Sequence, residues 1–289
     1  MVLLRAYVAL MKLRVVELLI ISTIPAMILA EKGVPSFELI IATLVGGTLA
    51  AGSANAFNMV LESDLDKLME RTSTRPLVTG AISKIHATIF ATVIGALSLT
   101  IFWIFTEPLA TLLTAVAIAF YVIVYTMALK RHTSQNIVWG GAAGCMPVFI
   151  GWAAVTNSLS WAAVAFFFVV FFWTPPHFWA LAIKYRDDYE AAKIPMLPVI
   201  AARNIVVRNM WFYTVAMIVS SVVLIYLTEL QWWAMVITVA LGLVFAFQLV
   251  QLKENSENYN AVALKIFHWS ITYLTLFSAL LVIAQLLKA

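Results

Sequence analysis

Charged side chains are scarce in this sequence. Of its 289 residues, only 11% are Asp, Glu, Lys or Arg, whereas 63% are hydrophobic, and the mean hydropathy is +0.97. Soluble domains have a charged fraction of about a quarter. The composition therefore excludes a soluble globular protein and indicates a chain that resides in a lipid bilayer.

Cysteine is also nearly missing, since Cys145 is the only one and lies within an apolar run. A single cysteine excludes an intramolecular disulfide and a thiolate metal cluster, so we expect Cys145 to be a small packing residue. The sequence lacks a basic stripe interleaved with stacking aromatic residues. Its net charge of +4 and pI of about 9.2 therefore predict no nucleic-acid partner.

Long apolar runs are frequent, and each approaches the length of about 20 residues that a helix needs to cross a bilayer. They predict an all-α fold in which nine transmembrane helices form one domain, residues 1–289, around a central cavity. A turn at residues 106–108 separates the third and fourth runs, so one long broken span is the alternative there. The predicted spans are 10–30, 38–60, 85–106, 109–129, 136–156, 161–183, 210–228, 231–252 and 263–287.

The basic residues fall almost entirely in alternate loops, and only Lys32 and Lys288 lie on the other side. Lys and Arg accumulate on the cytoplasmic side of membrane proteins. The pattern predicts a multi-pass protein of the bacterial inner membrane with a cytoplasmic N-terminus and a C-terminus outside. We also expect the loop cations to contact anionic membrane lipid.

One polar stretch, residues 55–77, begins within the end of the second apolar run and continues beyond it. Asn58, Glu62 and Asp66 recur every four residues, so a helix would place them on one face, with Asn55 preceding them. Oxygen ligands of this kind suit Mg²⁺, which is usually held by one or two carboxylates together with substrate phosphates.

Arg71 and Arg75 follow the acids. Their planar guanidinium groups can bind phosphate oxygens bidentately. The stretch therefore predicts a site for the Mg²⁺ complex of a diphosphate, and the alternative is an ordinary charged loop at a helix end. Because this stretch lies in one of the loops that carry the basic residues, the predicted active site faces the cytoplasm.

The order N-x-x-x-E-x-x-x-D followed by E-R-T-S-T-R-P-L resembles the first acidic motif of the UbiA-type intramembrane prenyltransferases. In that family the pattern is usually N-x-x-x-D-x-x-x-D and binds the Mg²⁺ diphosphate of an isoprenoid. Glu62 stands where Asp is common, and Asp64 follows it, so both are candidate ligands.

A second polar segment closes the sixth run, where His177, Lys184 and Asp188 are spaced by seven and four residues. Those spacings predict that all three lie on one helix face. Two prolines precede His177, and a membrane helix tolerates the carbonyls they free only beside neighbouring helices or a cavity. We therefore expect a cavity near His177, although an interhelical hydrogen bond would also explain this residue.

The blocks P-H-F-W-A-L-A-I and I-P-M-L-P resemble the branch of the family that prenylates protohaem. The resemblance implies transfer of a farnesyl group from farnesyl diphosphate to a vinyl group of protohaem IX with water addition, giving haem O and diphosphate, with Mg²⁺ as cofactor. In the family a second acidic motif lies at this place. Lys184 and Asp188 stand at its positions here.

The residue roles that the resemblance implies form three overlapping sets. The catalytic set is Asn58, Glu62, Asp66, Lys184 and Asp188. The metal ligands are Asn58, Glu62, Asp64, Asp66 and Asp188. The substrate-binding set is Asn55, Arg71, Arg75, Tyr125, Lys130, Arg131, His177 and Tyr185, in which the Lys130–Arg131 pair would otherwise be an ordinary topology anchor.

Two other functions fit parts of the sequence. One is a prenyltransferase of the same fold that acts on a quinone precursor or another aromatic acceptor. The other is a transporter, which predicts acids near the bilayer midplane and an inverted repeat, whereas the acids here collect at helix ends. Haem-handling membrane enzymes are further expected partners of the protohaem branch.

Overall fold

The structure, a computed structural model, describes the backbone of residues 2–288 and the side chains of residues 3–13, 20–70 and 72–288. Within that range the secondary structure is helical, with no strand, so the predicted all-α class is confirmed. The α-helices are α1 (Val2–Met11), α2 (Leu13–Glu31), α3 (Phe37–Leu61), α4 (Lys84–Phe105), α5 (Pro108–Ala119), α6 (Asn136–Thr156), α7 (Trp161–Lys184), α8 (Arg186–Ala191), α9 (Leu197–Ile200), α10 (Arg203–Leu227), α11 (Trp232–Val250) and α12 (Tyr259–Lys288). A 3₁₀ turn covers Glu70–Thr72, and a π-helix covers Phe120–Leu129 and continues α5.

Eight helical segments in the described part are long and apolar enough to cross a membrane: α3, α4, α5 with its π-helical extension, α6, α7, α10, α11 and α12. The remaining predicted span, 10–30, coincides with α2. Residues 14–19 of α2 have side chains outside the described part, and the count of nine stays a prediction. α4 ends at Phe105 and Pro108 opens α5, so two separate helices are confirmed there.

Serine side chains begin three of these helices. The Oγ atoms of Ser36, Ser83 and Ser160 accept hydrogen bonds from backbone N–H groups three residues later. Such caps satisfy N–H groups that have no partner within the helix. The caps therefore fix the starts of α3, α4 and α7.

α10 begins seven residues before the predicted span 210–228. Its first turns are polar, so the hydrophobic pattern alone did not include them. Arg203 holds that end in place, because its guanidinium donates to the carbonyl of Glu254 at 3.0 Å and stacks 4.5 Å from the Tyr259 ring centre.

α3 and α4 pack closely because small residues line their interface. A Cβ at Gly46 would lie 2.8 Å from the ring of Phe102, closer than side-chain atoms pack. Hydroxyl groups then cross the interface: Ser53 donates to the carbonyl of Ala91 at 2.8 Å, and Ser98 to that of Gly46 at 2.6 Å. Small residues and interhelical hydrogen bonds are typical of packing inside a bilayer.

A cavity of about 390 Å³ lies between α2, α3, α5 with its π-helix, α6 and α7. One end reaches the acidic stretch that follows α3, and the opposite end is lined mostly by small and aliphatic side chains. The bundle therefore encloses an elongated chamber that is polar at one end.

Candidate active site

Asn58, Glu62 and Asp66 are buried on the same side of the chain, although α3 itself ends at Leu61. The helical turn continues past that end, because Glu62 N donates to Asn58 O and Asp66 N donates to Glu62 O, each at 2.9 Å. The spacing of four residues is thereby preserved. Asn58 lines the polar end of the cavity, and Glu62 and Asp66 contact Lys130 and Arg75, which line it as well.

Each buried acid is paired with a cation, Asp66 with one from its own polar stretch and Glu62 with one from the end of the π-helix. Arg75 Nη1 lies 2.6 Å from both carboxylate oxygens of Asp66, and Lys130 Nζ lies 2.5 Å from Glu62 Oε2. Glu62 Oε1, in contrast, is buried and has no hydrogen-bond partner. A buried carboxylate oxygen without a partner is costly unless a ligand completes it.

Asp64 lies apart from this cluster, with 60% of its side chain exposed. Its two oxygens accept from the Arg131 guanidinium at 3.0 and 3.1 Å, and this hydrogen bonding holds the pKa of Asp64 below its ordinary value. Arg131 also donates to the carbonyl of Leu61. The pair therefore closes the outer surface of the turn and does not face the cavity.

Lys12 enters the site from the break between α1 and α2. Its Nζ donates to Asn58 Oδ1 at 3.0 Å, and Asn55 Nδ2 donates to the neighbouring carbonyl of Met11 at 3.1 Å. The backbone of Lys12 has φ 50° and ψ 55°, a left-handed conformation that is uncommon for residues other than glycine. Sequence reasoning treated Lys12 only as a topology signal, and no local pattern showed its place in the site.

The π-helix shapes the opposite wall. Lys130 N donates to Tyr125 O five residues back, and Thr126 Oγ1 donates to Tyr121 O. The same threonine hydroxyl accepts from Asn58 Nδ2 at 3.2 Å. A wider helical turn of this kind is frequent at functional sites, and here it directs Tyr121, Tyr125 and Lys130 into the cavity.

Three cations therefore line the polar end of the cavity: Lys12, Arg75 and Lys130. The predicted Arg71 cannot be placed among them, because its side chain lies outside the described residues.

The second polar segment is only partly assembled as predicted. α7 ends at Lys184, Tyr185 forms the junction, and Asp188 lies on the separate helix α8, so the prediction of one helix face was wrong. The reason is that the backbone leaves helical geometry at Tyr185. Lys184 is exposed, with its Nζ 5.3 Å from the Tyr185 ring centre, while Tyr185 and Asp188 are half-buried. α8 adjoins the cavity through Tyr189.

His177 is enclosed by aromatic rings and is only 4% exposed. The Trp173 ring stacks on it at 4.2 Å, with Phe178 and Phe267 at 5.0 and 4.7 Å. Its Nδ1 lies 2.7 Å from Ser270 Oγ, which donates its single proton to Phe267 O, so Nδ1 carries the proton and Nε2 holds the lone pair.

His177 itself is not among the residues that line the cavity, whereas its neighbours Trp173, Thr174 and Phe178 are. The expected cavity therefore lies beside His177, and the alternative interhelical hydrogen bond is present as well, between α7 and α12.

No group of three or more His, Cys, Asp or Glu side chains is placed to hold a metal ion within the described ranges. Mg²⁺ does not need such a group, since one or two carboxylates and substrate phosphates usually hold it. Glu62, with an oxygen lacking a partner, and the adjacent Asp66 fit that requirement.

An elongated apolar chamber with paired acids and bases at one end, inside a membrane helix bundle, defines an intramembrane enzyme for an anionic lipid-like substrate. The sequence matches the model of the UbiA prenyltransferase family over residues 19–271, so the chain belongs to that family. It is a prenyltransferase and a multi-pass integral membrane protein.

Relatives of this chain carry the name protoheme IX farnesyltransferase. The one from Renibacterium salmoninarum is 50% identical over 275 residues, which cover 94% of this chain and 86% of the relative. The one from Frankia casuarinae is 52% identical over 273 residues, which cover 94% of each chain.

Solved structures show the same fold. A structure of digeranylgeranylglyceryl phosphate synthase has a TM-score of 0.81 at 14% identity, covering 99% of both chains. A UbiA homologue from Archaeoglobus fulgidus, bound to GPP and Mg²⁺, has a TM-score of 0.67 at 17% identity, covering 96% of this chain and 99% of the homologue. The predicted UbiA-like bundle is thereby confirmed.

Proposed function

We propose that this chain transfers the farnesyl group of farnesyl diphosphate to a vinyl group of protohaem IX, with addition of water, giving haem O and diphosphate. Identity of about 50% to relatives named protoheme IX farnesyltransferase, over 94% of the chain, is the observation that carries this proposal. The polar end of the cavity and its apolar depth fit a substrate with a diphosphate head and an isoprenoid tail.

The residues at the polar end bind the diphosphate. Arg75 and Lys130, assisted by Lys12, would hold its oxygens, while Glu62 and Asp66, with Asn58, would hold Mg²⁺. The metal supplies charge stabilisation to the leaving diphosphate. Lys184 at the end of α7 and Asp188 on α8 are proposed to complete the diphosphate and metal site, with Arg131, Tyr185 and Asn55 supporting it.

The reaction breaks the bond between C1 of the farnesyl chain and the diphosphate oxygen, and the electron pair leaves with the diphosphate. The terminal vinyl carbon then bonds to C1, and water adds its oxygen to the inner vinyl carbon and loses a proton. The apolar wall excludes water from the allylic cation before the vinyl group attacks. Preorganised cations at the polar end stabilise the charge that develops on the leaving group.

His177 is proposed to orient the acceptor. Its Nδ1 proton is held by Ser270, and the remaining lone pair on Nε2 is the form of imidazole that binds haem iron. A contact between Nε2 and haem requires the Trp173 and Phe178 rings to admit the macrocycle at the cavity wall.

Incubation of the purified protein with protohaem, farnesyl diphosphate and Mg²⁺ tests the proposal. We expect haem to gain the mass of one farnesyl and one hydroxyl group, only when Mg²⁺ is present. A parallel reaction with a quinone precursor as acceptor is the control. If the quinone precursor is prenylated while haem stays unchanged, the acceptor is the quinone precursor and not protohaem.

A further inference from the structure

Three glycines of α6 line the cavity, and they differ in what surrounds them. A Cβ at Gly140 would lie 2.0 Å from the Tyr125 ring, and one at Gly141 would lie 2.7 Å from Thr174 Cγ2. These two positions are therefore glycine because neighbouring side chains occupy the space. A Cβ at Gly144 would meet no atom within 4 Å.

Gly144 is thus a glycine without a packing reason. Glycine in a helix interior is destabilising relative to alanine, and Gly144 lies well inside α6 with ordinary helical backbone. The space that a side chain would fill is the cavity itself. The position therefore contributes open volume to the chamber.

The depth of Gly144 follows from the helix rise. It lies seven residues beyond Ile137, where α6 first meets the cavity, and six before Ile150, where the lining ends. At 1.5 Å per residue these separations are about 10 Å and about 9 Å. Gly144 therefore lies about half-way along the chamber.

We propose that Gly144 determines which length of isoprenoid diphosphate the cavity accepts. The inference rests on the proposed function for the position of the diphosphate at Lys12, Arg75 and Lys130. With the head held there, the tail extends along α6, and its last isoprene unit occupies the space beyond Gly144. A side chain at this position closes that space and leaves room for a shorter tail.

The test compares farnesyl and geranyl diphosphate in Gly144→Leu. Binding of each donor with Mg²⁺ is measured by calorimetry, and transfer to protohaem is measured by mass. In the variant we expect the preference for farnesyl over geranyl diphosphate to fall by about tenfold or more, the effect of misfitting methylene groups in an apolar pocket. Gly144→Ala, which adds one methyl group to open space, should give a smaller shift in the same direction.

Gly33→Leu is the matched control, because Gly33 is also without neighbours within 4 Å of an added Cβ but lies outside the cavity lining. It should leave donor preference unchanged. An equal loss for both donors in Gly144→Leu, or a loss confined to protohaem affinity, would overturn the inference, and so would an unaltered preference in both Gly144 variants.

The binding measurement separates this inference from the proposed function. A wild-type protein that binds farnesyl diphosphate but does not modify protohaem would contradict the acceptor alone. The donor-length preference of the Gly144 variants would still support or overturn the role of Gly144.

Discussion

Glu62 and Asp64 are two residues apart, and burial separates their roles. Glu62 is 1% exposed and has an oxygen without a partner, whereas Asp64 is exposed and bound by Arg131. We expect Glu62→Gln to lower the Mg²⁺-dependent rate of farnesyl transfer by about a hundredfold or more, because a charge that organises the leaving diphosphate is removed. The measurement is the initial rate as a function of Mg²⁺ concentration.

Asp64→Asn is the matched control for that prediction, since it makes the same change on the outer surface of the same turn. It should retain a rate within a few-fold of the wild type, because exposed ion pairs contribute only about 0–1 kcal/mol. Equal losses in the two variants would contradict the assignment of Glu62. Glu62→Asp should be tolerated if the carboxylate acts as the ligand, because the family commonly has the shorter acid there.

The second prediction at this scale concerns His177. In His177→Ala we expect haem affinity to fall and the absorption spectrum of bound haem to shift, because imidazole is an axial ligand for iron. Binding of farnesyl diphosphate with Mg²⁺ should stay nearly intact, since the cations at the polar end are unchanged. Spectroscopic haem titration and calorimetry measure the two effects.

His268→Ala serves as the control, because His268 is an exposed histidine on α12, two residues before Ser270. It should leave the haem spectrum unchanged. If His177→Ala also leaves it unchanged, the acceptor must be held without His177.

Sequence spacing predicted that Asn58, Glu62 and Asp66 share one helical face, and the helical hydrogen bonds that continue past the end of α3 preserve that spacing. It did not predict Lys12, whose place depends on a left-handed backbone at a helix break and on the packing of α1 against α3. Asp188 was assigned to the same helix as His177 and Lys184 because spacing carries no information about where α7 stops.

At the scale of elements, the π-helix links the two walls of the site. Thr126 accepts from Asn58 and donates to Tyr121 O, so it joins α3 to the wider turn. An interhelical hydrogen bond in a membrane contributes about 0.6 kcal/mol on average, so Thr126→Val should lower kcat/KM for farnesyl diphosphate about threefold. Steady-state kinetics with varied donor measure the effect.

Thr100→Val provides the comparison, because the exposed Thr100 hydroxyl donates only to Ala96 O within α4. We expect wild-type kinetics from it. A Thr126→Val enzyme with the same kcat/KM as the Thr100 variant would remove the proposed link between the π-helix and Asn58.

Apolar run length predicted the positions of the helices well, since hydrophobic thickness sets the length of a spanning segment. The π-helix at Phe120–Leu129 was not predictable in this way, because its sequence is as apolar as that of a regular helix. What distinguishes it is a hydrogen-bond register, Lys130 N to Tyr125 O, stabilised by contacts with α3 and α6.

For the whole molecule, the distribution of basic residues predicts the orientation in the membrane. Reporters fused after Leu77 and after Pro198 should both indicate the cytoplasm, and a reporter at the C-terminus should indicate the opposite side. A fusion after Asn157, between α6 and α7, is the internal control and should also report the outer side. A cytoplasmic C-terminus would mean an even number of spans in place of nine.

The pairing of Glu62 with Lys130 and of Asp66 with Arg75 gives each buried acid a cationic partner before any substrate enters. Metal alone would bind the acids and leave the partly buried cations without partners, and diphosphate alone would leave the buried acids without partners. When the metal ion and the diphosphate bind together, each charged side chain exchanges one partner for another, and none is left without a partner. The two ligands should therefore bind with positive cooperativity, each raising the affinity for the other by the same factor.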